Sequence, residues 1–119
     1  MTSHEWSFFA KKIEAAGADG IELNISTLPS GPDQESTGYE NTYFDIIRRV
    51  TEKLQIPVSV KISPYFSNPG RMISRLSETG ISGIALFNRY YSPDIDIDKV
   101  ALKSAPGLSC DTDYLLPLR

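Results

Sequence analysis

The residues best suited to chemistry in this sequence are one lysine and two asparagines. Lys61 lies inside the apolar stretch Val58–Ile62, while Asn24 and Asn88 each close an apolar stretch of their own. A lysine is rarely buried without a partner or a function, and a fixed ammonium attracts an anionic ligand or a cofactor ring. An asparagine amide offers a donor and an acceptor to a planar, hydrogen-bonding substrate. We therefore expect a binding site in which Asn24 and Asn88 flank Lys61.

Two structural readings of the same residues stay open. Lys61 can form an internal ion pair with Glu22, which would fill the interior of the fold with polar groups and have no catalytic or binding role. Either asparagine, taken alone, is also a common cap for the end of a strand.

The stretches that carry these residues read as β-strands with one apolar and one polar face. Residues of one parity share a face of a strand. The apolar positions are Ile21, Leu23, Ile25, Val58, Val60 and Ile62. The polar positions are Glu22, Asn24, Ser26, Ser59, Lys61 and Ser63. A third strand is expected from Gly83 to Asn88.

Helical spacing of apolar residues separates these strands. The helix positions are Trp6, Phe9, Ile13 and Ala16, then Tyr43, Ile46, Ile47, Val50 and Leu54, then Met72, Ile73 and Leu76. Gly17 and Gly80 are expected to end the first and third helices, and Asn68-Pro69 to begin the third. Residues 27–42 are predicted to form a loop that runs into the second helix.

Helix, glycine, strand and asparagine occur in the same order around Gly17 and around Gly80, with the lysine strand between the two copies. This alternation predicts an α/β fold with parallel strands. Alternating polar positions favour a (β/α)₈ TIM barrel, whose interior is shared by polar side chains near its catalytic end, over a doubly wound sheet. A complete barrel needs about 250 residues. We therefore expect residues 1–119 to form one partial barrel domain of three strands, incomplete at both ends, with a short extra strand at residues 94–98.

The amino-acid composition and net charge of the chain limit the functions that it could have. The net charge of −3 and pI of about 5.1 do not suit a nucleic-acid binder. No apolar run approaches the roughly 18 residues of a membrane span. With a single cysteine and no signal peptide, a cytoplasmic location is expected. His4 is the one histidine, so no metal site is predicted. A partial sheet with open edges makes a homo-oligomer an expected form.

Several segments together resemble the dihydroorotate dehydrogenase-like proteins, which are FMN-dependent (β/α)₈ barrels related to the class 1 enzymes. These segments are Glu5-Trp6, residues 10–14, residues 16–19, residues 22–24, residues 60–64 and residues 87–89. The similarity covers nearly the whole chain and implies that its strands are about the fourth to sixth of eight. It implies an oxidoreductase of pyrimidine biosynthesis that converts a small molecule, dihydroorotate, to orotate with FMN as cofactor.

The resemblance also implies roles for individual residues. Lys61 matches the lysine at the N1/O2 edge of the flavin, and Phe87 a backbone position beside the ring. Asn24 matches an asparagine that contacts both flavin and substrate, and Asn88 matches a second substrate-binding asparagine. Thr27 falls at the catalytic base, where class 1 enzymes have cysteine and class 2 enzymes have serine.

Two further functions stay open. Lys61 could be the amine nucleophile of a Schiff-base aldolase or lyase, with Glu22 nearby. The threonine at the base position also fits a non-catalytic barrel that has lost its base.

Overall fold

Helices and strands alternate along the first three quarters of the chain. The computed structural model describes residues 3–26, 35–88, 94–103 and 111–119, and the chain divides into two compact units, Met1–Asn88 and Arg89–Arg119. The elements of the first unit are α1 (Ser3–Ala15), β1 (Ile21–Asn24), α2 (Ser36–Thr51), β2 (Val58–Ile62), α3 (Pro69–Ser77) and β3 (Gly83–Leu86). Those of the second are β4 (Asp94–Asp96) and β5 (Ala101–Lys103).

The first unit is built around a parallel sheet in the order β1-β2-β3. The strand with the lysine is central, and the two strands of the internal repeat lie on either side of it. Both outer strands are attached to the start of β2, because Ile21 N–H donates to Pro57 O at 3.0 Å and Ser82 N–H donates to Val58 O at 2.8 Å. The predicted α/β class with three parallel strands is confirmed, and the arrangement is that of a partial (β/α)₈ barrel.

The two faces of the sheet differ as the alternation predicts. Val58, Val60 and Ile62 are buried, whereas Ser59 and Lys61 between them remain partly exposed. One buried cluster contains the apolar strand residues together with those of α2 and α3. Burial of this cluster is the main source of stability, since each fully buried aliphatic side chain contributes about 1.5–3 kcal/mol.

Helix α2 buries all of its predicted core positions, but it begins earlier than expected. Tyr43, Ile46, Ile47 and Val50 are buried, and so is Leu54 just beyond the helix. The predicted loop to residue 42 was wrong at its end, since the helix starts at Ser36. The reason is Tyr39, which is buried one turn before Tyr43 and adds a turn to the apolar face.

Helix α1 forms where helical spacing predicted it, but its apolar residues are not its most buried ones. Phe9 and Ile13 are 51% and 43% exposed. The buried positions are instead the small residues Ser7 and Ala10. Helix α1 contacts α2, and small side chains allow two helices to approach closely. Trp6 is partly buried and packs against the core.

The ends of the helices follow the predicted signals. Asn68 Oδ1 accepts a hydrogen bond from Arg71 N–H at 2.9 Å, and Pro69 occupies the first helical position of α3. Gly17 and Gly80 have φ of +93° and +81°, a conformation that suits glycine after a helix. These two glycines turn the chain from a helix towards the strand that follows.

The second unit contains the short strand predicted at residues 94–98. β4 pairs antiparallel with β5, and Ile95 lies opposite Leu102. Within the ranges that the structure describes, no helix is long and apolar enough to cross a membrane.

Candidate functional site

The candidate site lies at the carboxyl ends of the three parallel strands. Asn24 is opposite Lys61 in the ladder of β1 and β2, and Lys61 is opposite Ala85 in the ladder of β2 and β3. The three residues form one row across the face of the sheet that carries exposed and partly exposed side chains. Ala85 gives this row a small side chain on one flank of the lysine.

The two asparagines are joined directly. Asn88 N–H donates to Ile62 O at 2.7 Å, which fixes its backbone at the end of the central strand. Asn88 Nδ2 donates to Asn24 Oδ1 at 2.5 Å, so a pair of amides links the ends of the two outer strands. The bond leaves Asn24 Nδ2 as a donor and Asn88 Oδ1 as an acceptor towards a ligand. The predicted juxtaposition of Asn24, Lys61 and Asn88 is therefore present in the folded chain.

Lys61 also makes the expected ion pair. Lys61 Nζ lies 2.8 Å from Glu22 Oε1, and the two side chains are 33% and 41% exposed. Glu22 lies opposite Ser59, which is two residues nearer the amino end of β2 than Lys61. A pair this exposed contributes about 0–1 kcal/mol to stability, because water screens it.

The other predicted site residues have different outcomes. Thr27 lies outside the described residues. Phe87 is partly buried against the core cluster, and the peptide bond that joins it to Leu86 is cis. Ser63 was expected on the polar face with Lys61, and this was wrong because Ser63 is fully buried and its Oγ lies 3.2 Å from Tyr39 Oη. The strand ends at Ile62, so the alternation of faces does not extend to Ser63.

The sequence reasoning missed a buried chain of hydroxyl groups beneath the strand ends. Tyr39 Oη lies 3.2 Å from both Ser63 Oγ and Tyr43 Oη, and Tyr43 Oη donates to Ile25 O at 3.2 Å. Phe66 packs against both tyrosine rings, with centroid distances of 5.6 and 5.3 Å. These hydroxyl groups connect the segments that follow β1 and β2, the two strands that carry Asn24 and Lys61. The spacing of Tyr39 and Tyr43, four residues apart on one helix, was the signal for it.

The described residues contain no group of three or more His, Cys, Asp or Glu side chains that could hold a metal ion. The charged strand residues of the sheet are Glu22 and Lys61, and they are paired with each other. The site thus offers an ammonium and amide groups, which suit recognition of an electron-rich, hydrogen-bonding ring.

The chain is 29% identical over 98 residues to the catalytic subunit of dihydroorotate dehydrogenase B (NAD(+)) from a Thermoanaerobacter strain and from Thermoanaerobacter pseudethanolicus. The match covers 82% of this chain and 32% of each relative, so the chain spans about a third of their length. No protein-family model matches the chain. By its sequence the chain is thus distantly similar to the catalytic subunit of a dihydroorotate dehydrogenase, an oxidoreductase.

Proposed function

We propose that this chain forms about the fourth to sixth strands of an FMN-dependent (β/α)₈ barrel that oxidises dihydroorotate to orotate in the cytoplasm. The complete barrel protein is called the parent here. The observation that carries the proposal is Lys61 in the central strand, beside the Asn24–Asn88 amide pair at the carboxyl edge of the sheet. Enzymes with barrel folds place their catalytic groups at this edge. The similarity to a dihydroorotate dehydrogenase catalytic subunit supports the same reading.

The donor set of the site fits a flavin. The pyrimidine edge of an isoalloxazine ring carries acceptors at N1 and O2, and these become more electron-rich on reduction. A lysine ammonium is a suitable partner for that edge, and charge near N1 tunes the electronics of the ring. In the proposal, Lys61 and Asn24 hold this edge, and the backbone at Phe87 borders the ring.

The chain's own residues have separate roles in the proposed reaction. Asn24 and Asn88 orient the substrate through the donor and the acceptor that their mutual hydrogen bond leaves available. Thr27 is the base that takes the proton from C5 of dihydroorotate, and its hydroxyl passes its own proton to solvent as it does so. Bound FMN would accept the hydride that leaves C6 of dihydroorotate.

The two alternative functions receive different support. A Schiff-base nucleophile must be able to reach a carbonyl carbon, whereas Lys61 Nζ is engaged by Glu22 Oε1 at 2.8 Å. The aldolase or lyase reading therefore gains nothing from the geometry. A binding protein without catalysis would share the flavin contacts, and it differs from the proposed enzyme only in the turnover of dihydroorotate.

The test is to purify the parent and its Lys61→Ala variant, and to measure FMN affinity, flavin potential and melting temperature on the same preparations. We expect FMN in the wild type, and weaker binding in the variant. The potential should fall by several tens of millivolts, because about 30 mV corresponds to 1.4 kcal/mol for a two-electron couple. Lys61→Arg should rescue only in part, since the guanidinium directs its donors differently.

The opposite result is equally clear. An unchanged potential together with a lowered melting temperature would mean that Lys61 serves the fold through Glu22 and does not face the cofactor. A parent that binds FMN but leaves dihydroorotate unoxidised would support the binding protein.

A further inference from the structure

Glu22 is an unusual residue for its position. Glutamate is disfavoured in β-strands, and a half-exposed ion pair contributes little to stability. Yet Glu22 lies within β1, and its Oε1 is 2.8 Å from Lys61 Nζ. Stability alone gives a weak reason for this carboxylate, so its effect on Lys61 is the more informative feature.

The geometry gives the carboxylate and the amide pair different sides of the lysine. Glu22 lies two residues nearer the amino end of the ladder than the level of Lys61, whereas Asn24 is level with Lys61 and Asn88 lies beyond the end of β3. A ligand at the carboxyl edge therefore meets the ammonium on the side away from Glu22. The carboxylate both anchors the ammonium and cancels part of the charge that it presents to that ligand.

From this arrangement we propose that Glu22 is a positioning residue that sets how strongly Lys61 favours the reduced, electron-rich form of the flavin. The inference rests on the proposed function and goes beyond it, because it assigns a role to a residue that the proposed function leaves without one. Glu22 acts through Lys61. It keeps the lysine in place while it limits the positive charge at the ring.

Two substitutions separate charge from position. Glu22→Gln keeps the length and an oxygen acceptor for the ammonium, but removes the negative charge. The site then becomes more positive, and reduced FMN should bind about tenfold more tightly relative to oxidised FMN, which equals a potential higher by about 30 mV. Glu22→Asp keeps the charge, and should leave this affinity ratio within about twofold of the wild type by the same relation.

The experiment is a spectroelectrochemical titration of FMN in the parent, with wild type, Glu22→Gln, Glu22→Asp, Lys61→Met and the double variant Glu22→Gln/Lys61→Met. The melting temperature of each flavin-free protein is recorded alongside. The proposal expects an upward shift in Glu22→Gln, a downward shift in Lys61→Met, and a much smaller effect of Glu22→Gln when Lys61 is already methionine.

Three outcomes would overturn the inference. A potential that is unchanged or lowered in Glu22→Gln, with or without a lower melting temperature, means that the carboxylate does not limit the charge of Lys61. A full upward shift in the Lys61→Met background means that Glu22 acts directly on the ring. A wild-type parent that binds no FMN overturns the proposed function as well, whereas bound FMN with unshifted variants overturns only the role of Glu22.

Discussion

Charged and amide side chains within apolar strands were the most useful guide to the candidate site. Lys61 stands out because a cation in a central strand must find a partner, and the pairing with Glu22 follows from their shared face. Asn24 and Asn88 each end one copy of an internal repeat, offset from each other by one place, and their side chains form a hydrogen bond. Parity places Glu22, Asn24 and Lys61 on one face of the sheet, whereas Asn88 reaches Asn24 because β3 ends at Leu86 and the alternation of faces stops there.

Thr27 carries the next prediction at this scale, although it lies outside the described residues. In the parent, Thr27→Cys should reduce the flavin with dihydroorotate about tenfold faster or more, since a well-matched general base contributes about 10²–10⁴-fold. A thiol ordinarily ionises with a pKa of about 8.5, whereas an alcohol stays protonated. Stopped-flow absorbance of the bound flavin measures the rate.

Ser26→Cys is the matched control, because it adds the same thiol one residue earlier. It should give no gain in the rate of flavin reduction. If Thr27→Cys is also no faster than the wild type, Thr27 does not occupy the position of the base.

Among the elements, those with strong periodicity were predicted well. The central strand, the core face of α2 and the cap of α3 follow directly from alternation, helical spacing and the Asn68-Pro69 signal. The most buried positions of helix α1 were not indicated by spacing, because they are Ser7 and Ala10, and small residues carry little hydrophobic signal. The spacing of apolar residues shows which face of a helix is apolar, but the packing of the neighbouring helix decides which face is buried.

The hydroxyl chain beneath the strand ends was also missed, for a related physical reason. In a helical pattern a tyrosine is interpreted as a core residue because of its ring. The groups that form hydrogen bonds with its hydroxyl come from distant parts of the sequence. Tyr43 bonds to Ile25 O, and Tyr39 contacts Ser63. Such contacts depend on the tertiary arrangement of two strands and a helix, which spacing along one element does not reveal.

The hydrogen-bonded hydroxyl groups of Tyr39, Tyr43 and Ser63 lead to a prediction about the stability of the fold. Tyr43→Phe keeps the ring but removes the donor to the buried Ile25 carbonyl, so we expect a loss of about 1–3 kcal/mol in the free energy of unfolding. Urea denaturation of the parent measures this loss, and faster amide exchange at the end of β1 should accompany it. Tyr114→Phe is the control at an exposed tyrosine. Equal stability of the Tyr43→Phe variant and the wild type would show that the hydroxyl chain does not hold the strand ends.

At the scale of the whole molecule, the described part of Met1–Asn88 has strand edges and apolar side chains that an ordinary monomer covers. The sheet has β1 and β3 as its outer strands, and unpaired strand edges favour association. Helix α1 exposes about half of Phe8 and Phe9 and much of Ile13. Neighbouring apolar side chains of this size commonly mark a surface that another chain or segment covers.

The last prediction is that the isolated chain associates with itself. Sedimentation velocity over a range of concentrations should show species larger than a monomer, and Phe9→Lys/Ile13→Lys should raise the monomer fraction several-fold. Both residues are about half exposed and lie outside the buried core, so the double variant should change the free energy of unfolding little, by roughly the ±0.5 kcal/mol typical of each surface substitution. Lys11→Gln, at an exposed position of the same helix, controls for the substitution itself and should leave the distribution unaltered. A wild-type chain that sediments as one monomeric species at every concentration and melts cooperatively would contradict the prediction, because its open edges and apolar helix face would then be stable in water.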